Sequence, residues 1–384
     1  MKIAILGNDH TNTLGLVQAV GIEGHEPYAF MWGLNTGIVK SSKYIKTTFS
    51  SHDADGCVQL ISQVFQEDDG PIIILCSCDG AAIAVEKYKS YLSPKFLSEY
   101  SNGQYSISQL QEKNLQVRLA SQVGFNVPSS FEVTNDVQVR FEFPFKGPYI
   151  FKALKSVEGD KSDLTICQTS SELRENLKKI LYKTPRILVQ QYIERDYEIS
   201  ILGCALSNGS CILPAIENKL SLFPKNVGLE CLAKVEPLTD KEIIKCISQL
   251  IKKISYVGLF SVEMMHCKTD GKFYFTEINL RNDGANSFIR KYGFNLACAH
   301  INDLLCAPVP CIPPITELKP GYYLWEIHHF YSLLHRDISL KKWLQDLYQS
   351  RGGLVYETTD FWPFIRQFTY PILSKLKLIK KDCY

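Results

Sequence analysis

The 384-residue sequence has no uninterrupted apolar run of about 18 residues, the length a helix needs to cross a bilayer. Its opening stretch, apolar from Lys2 to Leu6, is broken by Asn8, Asp9 and His10 too early for a secretory signal, so the chain is expected to stay in the cytoplasm. Charge of one sign is also lacking: 42 basic residues stand against 40 acidic ones, a net charge of +2, and nothing in that balance calls for a nucleic acid or another polyanion. The thirteen cysteines are odd in number and scattered, with no CxxC pair and no His/Cys cluster at zinc spacing. This argues against a disulfide framework or a metal knuckle and for reduced thiols. There is no Gly-x-Ser-x-Gly elbow and no Cys/His arrangement fit for nucleophilic catalysis, no internal repeat and no low-complexity tract.

What remains is a chain with 45% hydrophobic and 21% charged residues, long enough for two or three structural units. The run 2–6, Gly7 and a helical pattern through Leu14, Leu16, Val17 and Val20 predict the first strand, turn and helix of a parallel sheet. A second buried strand is expected at 72–75, with Asp79 at its carboxyl end. Helical spacing of Leu110, Leu115, Leu119 and Val123 predicts one helix over 107–123, ended by Gly124 and Pro128. Strands follow at 149–154, 187–192, 199–206 and 211–216. A helix over 171–181 is capped by Ser170 or Ser171, and another spans 240–254. Ser207, Asn208, Gly209 and Ser210 form a hairpin signal. The expected division is 1–105, 106–195, 196–310 and a C-terminal extension, 311–384, packing on the body.

The segment from Leu259 to Gly284 is the most informative, because two strands flank a turn and each carries a carboxylate, Glu263 and Glu277, within an apolar run. Burying an ionised carboxylate is costly unless something positive meets it. A three-residue loop of Thr269, Asp270 and Gly271, with glycine left-handed, pairs Lys268 with Lys272 and sets Glu263 opposite Glu277. A two-residue Asp-Gly turn sets them on opposite faces instead. Strand period puts Asn279 and Arg281 on the face of Glu277. Two carboxylates and an amide oxygen suit magnesium, which shares its shell with phosphates and water; paired lysines on an exposed sheet face are the alternative, and the ordered string Glu-Ile-Asn-Leu-Arg favours the metal.

These residues resemble the ATP-grasp superfamily, whose members include D-alanine–D-alanine ligase, biotin carboxylase, carbamoyl phosphate synthase and D-aspartate ligase. The match runs in order from about Lys113 to Asn286. It implies α/β and α+β architecture, an ATP-grasp fold preceded by a Rossmann-like parallel-sheet domain. By this resemblance Lys152 contacts the α- and β-phosphates and 155–163 is the phosphate loop. That loop has one glycine, Gly159, where relatives often have several, so Lys161, Ser156 and Ser162 would have to compensate. The run Val189, Gln190, Gln191, Tyr192 and Ile193 resembles the linker whose backbone binds the adenine edge, with Gln190 where relatives often have glutamate. Glu198 matches the acid that holds the ribose hydroxyls, and Lys113 a basic residue near the phosphates. Glu263, Glu277 and Asn279 match the metal ligands, and Arg281 the residue that neutralises an acyl-phosphate or tetrahedral intermediate.

The resemblance implies ATP and Mg2+, with Mn2+ as a substitute, and a small-molecule carboxylate joined to an amine through an acyl phosphate. Two other readings stay open at this point: a bicarbonate-activating enzyme of the carboxylase or carbamoyl phosphate synthase kind, although no second grasp copy or biotin carrier is present, and a nucleotide-binding protein without catalysis. Lys219, Lys225, Asn282, Asp283, Asn286 and Arg290 are substrate candidates because they flank the hairpin or a loop facing it. His328 and His329 are expected to pack in an aromatic strand. The tail from Phe361 to Tyr384, with Lys375, Lys377, Lys380 and Lys381, is expected to lie on the body rather than on a membrane. A homodimer is allowed.

Overall fold

The computed structural model describes residues 1–65, 70–134, 143–153, 165–181, 186–225, 228–310 and 319–375, without the side chains of 152, 153 and 372–375. Lys161 and the expected phosphate loop lie outside the described residues, as do the side chain of Lys152 and the lysines of the tail.

The first unit is a five-stranded parallel sheet, in the order Thr47–Ser50, Glu26–Trp32, Lys2–Asn8, Ile72–Cys76, Phe96–Ser98. Three helices, Thr11–Ile22, Ala54–Val64 and Asp79–Lys87, cross between its strands. The strand order reverses between Lys2–Asn8 and Ile72–Cys76. A sheet wound this way opens a crevice at the carboxyl ends of those two strands. Gly7 allows the close approach there: a Cβ on it would sit 1.7 Å from the Ser77 hydroxyl, which bonds Thr13 Oγ1 at 2.7 Å across the gap.

The second unit is a four-stranded antiparallel sheet, Ser130–Val133, Ile187–Gln191, Tyr149–Ala153, Thr165–Cys167, with the helix Ser170–Leu181 against it. Its core, including Val133, Tyr149, Phe151, Leu173, Leu177 and Val189, is separate from the rest. The helix is capped by Thr169, whose hydroxyl accepts from the Glu172 N–H at 3.2 Å, not by Ser170 or Ser171 as expected.

The third is a large sheet whose main path runs Phe273–Asn279, Tyr256–Cys267, Arg195–Ala205, Cys211–Phe223, Leu229–Pro237, Gly321–Leu324, Ser350–Gly353. The last two strands come from the region beyond residue 310. Helix Lys241–Ile254 covers one face through Ile243, Ile247, Leu250 and Ile251; its N-cap is Asp240, and Ser255 ends it in the left-handed conformation. The same apolar clusters contain residues of the parallel sheet and of this one, so the two units share their core.

The predicted helix over 107–123 is two helices, Ile107–Leu110 and Lys113–Gln122. A capping box between Ser106 and Gln109 starts the first, and Glu112 is extended. The break lets the second helix dock on the hairpin edge, where the Gln116 amide accepts from Ile278 N–H at 3.1 Å and donates to Ile278 O at 2.9 Å and Leu110 O at 2.7 Å. A side-chain amide here replaces a neighbouring strand. The segment with His328 and His329 is likewise a helix, Glu326–Leu334, and not a strand.

Two stability predictions follow from these contacts. Gln116→Ala leaves buried backbone groups of Ile278 and Leu110 without partners and should cost about 1–3 kcal/mol in urea unfolding; a loss within error would show that the docking is dispensable. His300 is fully buried with neither ring nitrogen bonded, and burial pushes its pKa down from 6.5 to about 4. Its contribution is complete above pH 6.5 and declines as pH falls towards 4, because the unfolded chain takes up the proton first. His300→Leu should remove about 3 kcal/mol of that acid-side decline, and an unchanged pH profile would refute it.

Candidate active site

The hairpin strands Tyr256–Cys267 and Phe273–Asn279 set Glu263 directly opposite Glu277, and Ser261 opposite Asn279. The expected pairing is therefore present, but the expected loop is not. Cys267 pairs with Lys272 (N to O, 2.8 Å), so four residues, Lys268 to Gly271, form the turn, with Gly271 left-handed as anticipated (φ +69°). A bulge at Thr276 adds the residue that restores the register, since Met264 faces Phe275 while Glu263 faces Glu277.

The row continues across the sheet from Glu277 and Glu263 to Ser200 and then Glu217. Residues opposite one another share a face. Lys219, one step along, faces Glu198. Its ammonium lies 3.3 Å from Glu263 and 3.9 Å from Glu198. Burial opposes that charge, yet Glu263, Glu230, Glu217 and Glu198 outweigh the cost and hold the Lys219 pKa above its ordinary value. Glu198 is also ion-paired to Arg195. Lys113, the first residue of its helix, reaches to 3.8 Å from Glu277. Burial, together with Glu277, raises the Glu263 pKa in spite of Lys219.

Arg281 lies just beyond the end of the strand; its guanidinium is hydrogen-bonded to Asp283 (Nη1 to Oδ2, 3.0 Å) and ion-paired, without a hydrogen bond, to Asp79 (Nε to Oδ1, 3.3 Å). Asp79 starts the helix at the crevice of the parallel sheet, so this arginine joins the two units. Burial opposes the Asp283 charge, but Arg281 holds that carboxyl below its usual range. The loop after Arg281 is bonded into the crevice: Asn282 N–H donates to Cys76 O at 3.0 Å, and its side chain to Asn12 O at 3.1 Å. A Cβ on Gly284 would lie 2.6 Å from Asn12 Oδ1, so a larger residue there would push the Asn12 side chain aside.

The strand Ile187–Gln191 carries Gln190, buried, and Gln191. Gln191 N–H bonds Ser129 O at 2.8 Å and Tyr192 N–H bonds Pro148 O at 2.9 Å. Among the bonds between described residues none uses the Ile193 N–H. The structure thus brings Lys113, Glu198, Glu263, Glu277, Asn279 and Arg281 to one sheet face and its rim, and puts residues 190–193 where the small sheet joins the large one. Of the substrate candidates, Asp283 and Lys219 belong to the cluster, Asn286 bonds Asn282 at 2.8 Å, and Lys225 is exposed. Arg290 is tied to Glu357 at 2.7 Å and anchors the C-terminal region.

Sequence reasoning did not single out Glu217 and Glu230, and it left Asp79 without a partner. A signal existed for Glu217: the strand expected to end at 216 continues to Phe223, and Glu217, Lys219 and Ser221 alternate with Ile216, Asn218 and Leu220. His328 stacks on Trp325 at 4.0 Å, and His329 bonds Asp346 at 3.1 Å in a buried pair.

Among the described residues, no three His, Cys, Asp or Glu side chains form a metal cage of their own. Two opposed carboxylates and one amide fit a cation that takes the rest of its shell from phosphate and water. Lys219 stands beside Glu263 and Lys113 beside Glu277. An open cavity of about 690 Å³ lies elsewhere, between helix Lys113–Gln122 and strand Ser130–Val133.

Residues 118–287 match the family model of the ATP-grasp domain. The chain is 26% identical over 179 residues to the D-alanine--D-alanine ligase of Aquifex aeolicus, covering 44% of this chain and 57% of that protein. It is 24% identical over 205 residues to the formate-dependent phosphoribosylglycinamide formyltransferase of Bacillus velezensis, covering 52% and 50%. The chain thus spans about half the length of these relatives. Its fold is that of N5-carboxyaminoimidazole synthetase from Staphylococcus aureus, at a TM-score of 0.65 and 15% identity over 84% of this chain and 81% of the other. The L-amino acid ligase of Bacillus licheniformis aligns at a TM-score of 0.60 and 16% identity, over 84% and 79%.

Arg281→Met strands Asp79 and Asp283 as unpaired carboxylates in a buried setting. Stability should fall by about 3–5 kcal/mol in chemical denaturation, and a loss below about 1 kcal/mol would show that the clamp does not hold the units together.

Proposed function

We propose that this chain, whose residues 118–287 form an ATP-grasp domain, is an ATP- and magnesium-dependent ligase that joins a carboxylate to an amine through an acyl phosphate. The observation that carries this reading is the opposition of Glu263 and Glu277, beside Asn279, with Lys113 and Lys219 on either side and Arg281 at the crevice. Glu263, Glu277 and Asn279 would hold magnesium, and the chemistry it would supply there is withdrawal of charge from the nucleotide phosphates. Manganese meets the same ligands.

Residues 190–193 receive the adenine, with the Ile193 N–H as a donor, and Glu198 takes the ribose hydroxyls. The phosphates are assigned to Lys113, together with Lys152 and Lys161 by the resemblance, and Lys219 would leave Glu263 to meet the γ-phosphate. A carboxylate oxygen attacks the γ-phosphorus and the bond to ADP breaks. The amine nitrogen then attacks the acyl carbon, the carbon–oxygen bond to phosphate breaks, and phosphate departs with the electron pair. Arg281, already held by two acids, is aimed at the negative charge of the tetrahedral state. No side-chain nucleophile takes part.

The test is ADP release from ATP and magnesium over pooled D- and L-amino acids, dipeptides and bicarbonate. Turnover in a pool containing an amine, lowered about two orders of magnitude or more by Glu277→Gln, is expected. Turnover with bicarbonate alone would move the chain to the bicarbonate-activating class, and ATP binding without turnover in every pool would make it a binder.

A further inference from the structure

Beyond Ser200, the row that starts with the two opposed acids ends on Glu217, which the proposed chemistry does not use. Glu217 is 1% exposed, and neither of its carboxylate oxygens has a hydrogen-bond partner. Glu230, on the neighbouring strand and partly exposed, faces it within hydrogen-bond reach. Two carboxylates that face each other offer only acceptors, so a cation or a proton has to lie between them. Burial raises both pKa values, that of Glu230 to about 7; the Glu230 charge adds to the rise at Glu217, whereas the contact with Glu217 draws Glu230 the other way. Lys219 is the nearby positive charge, but it is shared with Glu263 and Glu198.

Aromatic rings gather beside the Glu230 segment. Trp325 N–H bonds Cys231 O at 2.9 Å, next to Glu230, and the Trp325 ring stacks on His328, which meets the Glu230 backbone. Phe223, at the end of the strand that carries Glu217, packs against His328 at 6.5 Å, and His10 from the crevice loop meets Trp325 at 6.1 Å. The Trp325 indole N–H is also buried and without a partner, its residue 8% exposed. The orphaned carboxylate is the feature that awaits a donor from outside; the indole N–H needs an acceptor and is not met by an ammonium group.

We propose that Glu217 and Glu230, walled by Trp325 and His328, bind the ammonium group of the amine that the enzyme joins, a small primary-ammonium compound. This rests on the ligase reading above and names the acceptor's class. Magnesium is a poorer occupant, because two carboxylates supply few of the six oxygens it requires and, unlike at Glu263 and Glu277, no nucleotide phosphate completes the shell there. An ammonium group brings three donors and one charge, and its carbon skeleton lies against rings whose faces attract cations. The carboxylate substrate is excluded by like charge and belongs on the side of Arg281. Glu217 lies two strands from Glu263, roughly 10 Å, so an amine held there lies within a short skeleton's reach of the phosphorylated carboxylate.

The experiment is thermal unfolding of the full chain with magnesium and the non-hydrolysable analogue adenylyl imidodiphosphate, titrated with ethylammonium. Ethanol and tetramethylammonium, at the same ionic strength, are the controls. Ethylammonium should raise Tm by about 2 °C or more where neither control does. Glu217→Gln and Glu230→Gln, singly and together, should weaken that response about tenfold and leave the nucleotide shift unchanged. An ethylammonium shift equal to that of either control, or retained in full by the double variant, overturns the site even if no single variant is informative. Absence of the nucleotide shift in the unaltered protein overturns the ligase reading itself, which is a separate result.

Discussion

Arg281 is the contact on which the geometry depends. Its guanidinium takes one carboxylate from the parallel sheet, Asp79, and one from the loop after the hairpin, Asp283. A buried cation with a single partner is poorly compensated, and a planar group with several donors can serve two acids at once. The price of burying it is met by joining two units that share apolar clusters and the Asn282 hydrogen bonds to the crevice. The crevice at the strand-order reversal is thereby aligned with the hairpin face, and the same group remains available to charge arising between them.

Around this clamp the sheet face is ordered by charge. Lys219 serves four carboxylates and Lys113 leans on a fifth. In a setting of low dielectric such sharing holds acids close together that water would otherwise screen. It also leaves them incompletely neutralised, which is the condition under which added cations bind. The opposed pair Glu263 and Glu277 shares one row with Glu217, separated from it by Ser200, and Glu230 reaches Glu217 from further along the next strand. A reaction that needs a metal-bound nucleotide at one point and an amine at another finds the required sequence of charge across the strands of a single sheet face.

Much of this was legible in residue patterns, though unevenly. Alternation and apolar runs marked the first strand, the strand ending near Cys76 and both strands of the hairpin, because a buried face imposes its period on the sequence. The pairing of Glu263 with Glu277 was foreseen through a three-residue turn. The real turn has four residues, and the bulge at Thr276 compensates. Bulges leave little local signal, since the extra residue has no required type. The helix break at Gln111 and Glu112 was hidden for a similar reason: helical spacing continues across it, and only the docking of Gln116 on Ile278 makes the break worthwhile. The strands Glu26–Trp32, Thr47–Ser50 and Leu229–Pro237 were not among those expected, and histidines read as strand residues lie on a helix.

The sequence by itself determined the class of fold, the order of its parts and the residue types brought to the hairpin. Those follow from local periodicity, turn chemistry and the spacing of a few charged residues. Tertiary structure alone decided that Asp79, some two hundred residues before Arg281, is its partner, and that Glu217 and Glu230 face each other beside Trp325. These pairings depend on strand order and on contacts between distant segments, and no local pattern encodes which buried charge will meet which.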